Sequence, residues 1–321
     1  MRITPLLHVF LVAAGLAVAP MSATAQTVTM GSVGSASASL WPVFIGLKNG
    51  FFEQQGVKVD LVFAPSNAAL AQQLAAGSID VGLNSGLVGP IQAIDKGAPI
   101  AVIRLEITPA PFVLLGKGSL ASMADLKGKR ITVGGAKDIT RILTDRMLRA
   151  ANVDPESVDY SYAGATPARL SALKTGAVDA AIVLPPFNFY GESEGFRTLG
   201  LTKDVAPDMP FAGSVANTKW ASANAALLRR ILTVNDRSVA WLYDPANRRR
   251  AIEILVEVSK GQPADVEKTY DFMVGGRYYE PSSAISRGKL KSVVDALVAV
   301  GDLDKPVAVD RLVLPGLDMV D

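Results

Sequence analysis

The sequence predicts an α/β protein of two lobes. Each lobe is expected to carry a mainly parallel sheet flanked by helices, with two crossover strands as hinge. Three observations carry this expectation. From residue 27 onward, short apolar runs alternate with longer amphipathic stretches punctuated by Gly, Pro and Asn, the pattern of successive βα units. An internal repeat recurs at an offset of 99 residues. The chain has 321 residues, 49% hydrophobic and 19% charged, which suits two ordinary globular domains.

The first element reads as a secretory signal over residues 1–25. Arg2 supplies the positive end, Leu6 to Ala19 the apolar stretch, and Ala23-Thr24-Ala25 a small-x-small cleavage site before Gln26. The apolar stretch is shorter than the ~20 residues a spanning helix needs. No cysteine is present to carry a lipid anchor, so the mature protein is expected free in the periplasm.

Val28 to Gly31 reads as the first strand. Trp41 to Gly50 follows as a helix, with Ser39 as its cap and Gly50 as its stop. Val57 to Val62 alternates as a strand should; Asn67 to Ala76 reads as a helix ending at Gly77, and Ile79 to Leu83 as a buried strand. The repeat then maps this module onto the next. Val59 meets Val158, Asp60 meets Asp159, Ala64 meets Ala163, Ala69 meets Ala168, Leu74 meets Leu173, Gly77 meets Gly176 and Asp80 meets Asp179. A shift of one residue also aligns Val33-Gly34 with Val133-Gly134. After the second module the spans 224–243, 247–259 and 283–300 read as a helical tail. The apolar runs Phe112 to Gly116 and Pro210 to Asn217 read as the crossings. They divide the chain into lobe one, 27–110 plus 213–321, and lobe two, 111–212.

Composition excludes much chemistry. His8, the only histidine, leaves with the signal, and there is no cysteine. Ser-His-Asp and Cys-His nucleophiles, His-ligated zinc, thiolate metal sites and disulfides are therefore not expected, nor is any cofactor or metal. The formal charge of +2 falls by one when Arg2 is removed, a balance that argues against nucleic acid as a partner. The clusters Lys127-Gly128-Lys129-Arg130 and Arg248-Arg249-Arg250 read as solvated faces. Asp80 and Asp179 follow helix-ending glycines and read as turn chemistry, not as a catalytic pair.

Several stretches resemble the periplasmic binding proteins of ABC importers for sulfonates, taurine, nitrate and related solutes, a family that includes thiamine-pyrimidine-synthesis-like proteins. They are Pro42 to Val57, Leu74 to Gly82, Leu126 to Ile131, Leu173 to Ala180 and Asn217 to Trp220. The resemblance implies the two-lobed type II periplasmic binding protein fold and a monomeric binder of a small-molecule solute, served by a membrane permease and a cytoplasmic ATPase. The pyrimidine-synthesising relatives consume an active-site histidine and carry a cysteine-rich motif. This chain has neither in its mature part, so the resemblance implies a binder and no enzyme. The rival readings are an exported enzyme using carboxylate or lysine chemistry and a ligand-sensing module of the same fold.

Ligands in open α/β sheets collect beyond the carboxyl ends of strands, where helix N-termini offer free N–H groups. That rule selects four loops. Ser35, Ser37 and Ser39 lead into the first helix and can donate hydroxyls or serve as caps; Trp41 offers a stacking face or a core anchor. Asn84, Ser85 and Gly86 follow a buried strand, and their counterpart in the resembled fold lies at the cleft. Lys137, Asp138 and Thr140, after Gly134-Gly135, form a small anion nest or a simple cap. Pro185, Phe187 and Asn188 end the equivalent strand of the second module. Arg104, a charge in an apolar run, is expected to take either a ligand or an acid such as Glu106.

Overall fold

The computed structural model describes residues 25–33, 38–64, 67–136 and 138–321. The signal-peptide reading of 1–25 therefore lies almost wholly outside the described residues, as do Ser35, Ser37 and Lys137. Ten strands build two sheets: β1 Gln26–Val33, β2 Val57–Ala64, β3 Val81–Gly86, β4 Ile100–Ile107, β5 Val113–Gly116, β6 Arg130–Val133, β7 Asp159–Tyr162, β8 Ala180–Val183, β9 Arg197–Leu201 and β10 Ala212–Asn217. The first sheet has the order β2-β1-β3-β10-β4 and the second β7-β6-β8-β5-β9. In each, four strands run in one direction and one antiparallel strand lies between the third and the last of them. Those intruders are β10 and β5, the two runs read as crossings. Each lies within one sheet, and the chain passes between the sheets just before it.

The 99-residue repeat has a physical basis in shared turns. Gly77 and Gly176 end corresponding helices at φ of 75° and 77°, a left-handed conformation that costs glycine little. Asp80 Oδ2 then accepts from the Thr29 backbone N–H at 2.9 Å, and Asp179 Oδ2 from that of Arg130 at 3.0 Å. Each aspartate thereby ties the start of one strand to its neighbour, the turn role expected of both.

Long-range pairing overrides one local expectation and a local turn another. Asn84-Ser85-Gly86 is not a loop but the end of β3, because β10 returns beside it and pairs Gly213 with Ser85 and Ala212 with Gly86. Ser39 is not the cap of helix Trp41–Lys48, because a 3-10 turn over Ala38–Leu40 moves the N-cap to Leu40. In the tail, helices Ala225–Tyr243, Arg248–Ser259 and Arg287–Ala299 match the periodic spans, and Pro263–Gly275 adds a helix the pattern did not suggest. Ile231, Leu255 and Tyr270 of this tail are buried with Met30, Val81 and Ile103 in one core. No helix among the described residues is long and apolar enough to cross a membrane.

The connections between sheets are stitched together. Thr202, fully buried, donates its hydroxyl to Ala110 O at 2.6 Å and accepts from Phe112 N–H at 3.2 Å. Phe211 N–H donates to Ile107 O at 2.9 Å. The rings of Phe112 and Phe211 meet edge to face, 5.1 Å between centroids. Two aromatic side chains thus stand where the chain passes between sheets.

Candidate functional site

A cavity of about 1020 Å³ opens between the two sheets. Trp41, Asn84, Gly86 and Gln92 line it from the first sheet's side. Asp138, Thr140, Thr166, Arg169, Pro185, Phe187 and Tyr190 line it from the second. Phe112 and Phe211 contribute from the crossings, and Val266 and Thr269 from tail helix Pro263–Gly275.

Arg169 is the cation that the described residues bring to the cavity wall. It lies in helix Thr166–Lys174, which starts with Pro167 where a missing N–H costs little. Only 3% of the residue is exposed. Its guanidinium donates to three carbonyls, Ile182 O at 2.6 Å, Ala163 O at 2.9 Å and Gly164 O at 2.8 Å, and to the Thr166 hydroxyl at 2.9 Å. No carboxylate among the described residues forms an ion pair with it. Loss of water pulls its pKa down to about 10, with the charge of Asp138 opposing. Four of the five guanidinium N–H groups are used. A cation is therefore held rigidly at the wall by neutral acceptors, with one donor left over.

Asp138 is the N-cap of helix Ile139–Ala150, its Oδ1 accepting from Thr140 N–H at 2.8 Å and from the Thr140 hydroxyl. That hydroxyl accepts from Gly134 N–H at 2.7 Å. A Cβ at position 134 would stand 2.8 Å from Asp138 Oδ1, so this turn requires glycine. Cap and nest are thus one structure, whose helix N-terminus faces the cavity beside Arg169.

Asn84 holds a left-handed φ of 49°, and its N–H donates to Glu106 Oε2 at 2.6 Å. Burial pushes the Glu106 carboxyl above the usual range, against hydrogen bonds from the Ser214 hydroxyl and Asn84 N–H and the charge of Arg104. Phe187 and Tyr190 pack edge to face, 5.5 Å apart, on helix Phe187–Ser193. Burial raises the Tyr190 hydroxyl, and the charge of Asp265 adds to it.

Of the residues singled out from sequence, Trp41, Asn84, Gly86, Asp138, Thr140, Pro185 and Phe187 come together around the cavity. Trp41 is 3% exposed, so it anchors the core and forms the wall at once. Ser39, Ser85 and Asn188 are buried and do not line it. Arg104 stays away as well: it pairs with Asp236 and donates to Ser283 Oγ at 2.8 Å and Glu280 O at 2.5 Å. Its alternative was an acid, and an acid on a tail helix holds it. Sequence reasoning missed Arg169, Tyr190, Phe112 and Phe211. A signal for Arg169 existed, since at the 99-residue offset it faces Leu70, a fully buried apolar position.

Two sheets of the same topology, joined by paired crossings with the cavity between them, define the two-lobed periplasmic-binding-protein class of fold. Within that class the chain belongs to the NMT1/THI5-like family, whose model matches residues 37–247. A Brachyspira hyodysenteriae protein named for an ABC transporter periplasmic binding role is 29% identical over 170 residues, 49% of each chain. A 4-amino-5-hydroxymethyl-2-methylpyrimidine phosphate synthase of Saccharomyces cerevisiae is 23% identical over 145 residues, 44% of this chain and 41% of that one. The chain spans about half the length of these curated relatives. The alkanesulfonate-binding protein SsuA of Xanthomonas axonopodis pv. citri, solved bound to MOPS, has a TM-score of 0.72 and 23% identity. That match covers 89% of this chain and 97% of the other.

Proposed function

We propose that the chain is the solute-binding component of an ABC-type import system, exported to the periplasm, and that it captures a small anion between its lobes. Sulfonates, taurine, nitrate and aromatic carboxylates form the candidate class. The lobes divide at 27–110 plus 213–321 and 111–212 and close about the crossings stitched by Thr202, Phe112 and Phe211. The closed form then presents both lobe surfaces to a membrane permease driven by a cytoplasmic ATPase. The single observation carrying this reading is Arg169, a buried guanidinium at the cavity wall held by carbonyls instead of a carboxylate. An arrangement of that kind stabilises a cation without neutralising it, which leaves its field to a bound anion. A mature chain without histidine or cysteine supports binding without covalent chemistry. The Brachyspira relative and SsuA are named as binding proteins, which supports the same side of the choice against the synthase.

The test is a thermal-melt panel on protein unfolded and refolded to release carried-over solute. A true solute at a hundred times its dissociation constant adds ~2.7 kcal/mol, which raises the melting point by about 5 °C for a chain of this size. A saturable rise for one class of anion without turnover is the expected result. A flat panel, or consumption of a compound, overturns the reading.

A further inference from the structure

Resting on the solute-binding reading, we infer that this cavity takes a bulky aromatic mono-anion, an acid group on a fused or linked ring system, in preference to an inorganic anion or a short aliphatic sulfonate. Three features of the wall point to this class.

The first is size. A water molecule takes ~30 Å³ of liquid, so an anion of a few atoms would occupy a small part of the 1020 Å³ that lies between the lobes before they close. That volume instead sits at the upper end of the roughly 300–1,000 Å³ range of pockets that enclose drug-sized ligands. The second is the lining. Trp41, Phe112, Phe187, Tyr190 and Phe211 bring five rings to the cavity from both lobes and both crossings. Phe187, Tyr190 and Phe211 remain half-buried, with ring surface still to cover. Rings of this kind favour offset or edge-on contact with a second π-system, which an alkyl chain does not offer.

The third is charge. Arg169 is the only cation among the described residues lining the cavity, and Asp138 and Asp302 also line it. Asp138 is already engaged by the first turn of its helix. One guanidinium with a single N–H left over, beside the Asp138 carboxylate, accommodates one acid group and opposes a second. The remaining Arg169 N–H would hold the acid group, and the rings would enclose the remainder of the ligand.

The test is calorimetric titration of the refolded chain with matched compounds. These are 1-naphthoate and 1-naphthalenesulfonate, ethanesulfonate, taurine and nitrate, neutral 1-naphthamide, and the dianion naphthalene-1,8-dicarboxylate. Burying a ring system contributes on the order of 10- to 100-fold in affinity. The naphthyl mono-anions should therefore bind at least ~10-fold more tightly than ethanesulfonate, with the amide and the dianion each at least ~10-fold weaker than naphthoate. Phe187→Ala should lower naphthoate affinity about 10-fold and ethanesulfonate affinity less. Ethanesulfonate, taurine or nitrate binding as tightly as the naphthyl anions would overturn the aromatic class while leaving the solute-binding reading in place. Binding of none of the compounds would remove both. The matched comparison runs on the unaltered chain, so it stands whether or not Phe187→Ala folds.

Discussion

The two repeated modules share their turns, and among their many differences one helix position decides what each offers a ligand. Gly77 and Gly176 adopt the same left-handed conformation, and Asp80 and Asp179 make the same strand-to-strand bond. Between them, the module of the first sheet has Leu70, fully buried in apolar surroundings, where that of the second has Arg169. The backbone needs the glycine and the aspartate wherever this unit is built, whereas the helix position is free to change with what lies beside it. The first module turns that position into core and the second into a charged cavity wall. The lobe that differs from its sibling is thus the one offering charge to a ligand.

Making the modules alike should produce the largest effect. Arg169→Leu restores the first module's residue, removes the cation of the described cavity wall and leaves three carbonyls, the buried one of Ile182 among them, without their donor. Anion affinity should fall on the order of 100-fold, and stability by about 2–4 kcal/mol, from the loss of charge-assisted bonds. Titration and urea unfolding measure the two losses separately. Unchanged anion affinity in a folded variant would end the assignment of Arg169.

A second arginine sharpens the contrast. Arg104 is as buried as Arg169, but Asp236 of tail helix Ala225–Tyr243 pairs with it. Asp236→Ala should cost about 2–3 kcal/mol, somewhat under the usual cost of stranding a buried charge because Asp236 itself is partly exposed. Ligand affinity should not change with it. A stability loss without a binding loss separates a structural arginine from a functional one, and a binding loss of similar size would merge them.

These contrasts also mark what the sequence could reveal. Gly77 and Gly176 were legible because a left-handed turn is a local demand that one residue type meets best. The parallel strands were legible through their apolar runs. Asn84-Ser85-Gly86 was not legible as strand, because the partner that extends it, β10, arrives from far along the chain. Arg104 and Arg169 are both charges at apolar positions, and local pattern cannot say which finds an acid. That outcome depends on where tail helix Ala225–Tyr243 places Asp236. Likewise Phe112 and Phe211 read as parts of the two crossing runs, and only the packing of the two lobes makes them neighbours at the cavity.

The smallest expected difference lies in the turns that the modules share. Asp179 also receives the Lys117 ammonium at 2.7 Å, whereas the residue in the corresponding place beside Asp80 is Asn217, whose side-chain amide donates to Leu74 O instead. The Lys117 hydrogen bond, followed by the Arg130 N–H, holds the Asp179 carboxyl below its usual range. A carboxyl whose folded pKa is depressed stabilises the fold above its unfolded pKa, about 3.9, and loses that contribution as pH falls through the folded value. Asp179→Asn should therefore cost about 1 kcal/mol at pH 7, a modest figure because the pair is partly exposed, and almost nothing near pH 2. Asp80→Asn, which removes an acceptor without a lysine partner, should cost less at pH 7. Urea unfolding of both variants at pH 7 and at successively lower pH measures this. Equal costs at pH 7 would mean that the backbone bond common to both turns, and not the lysine, carries the stabilisation.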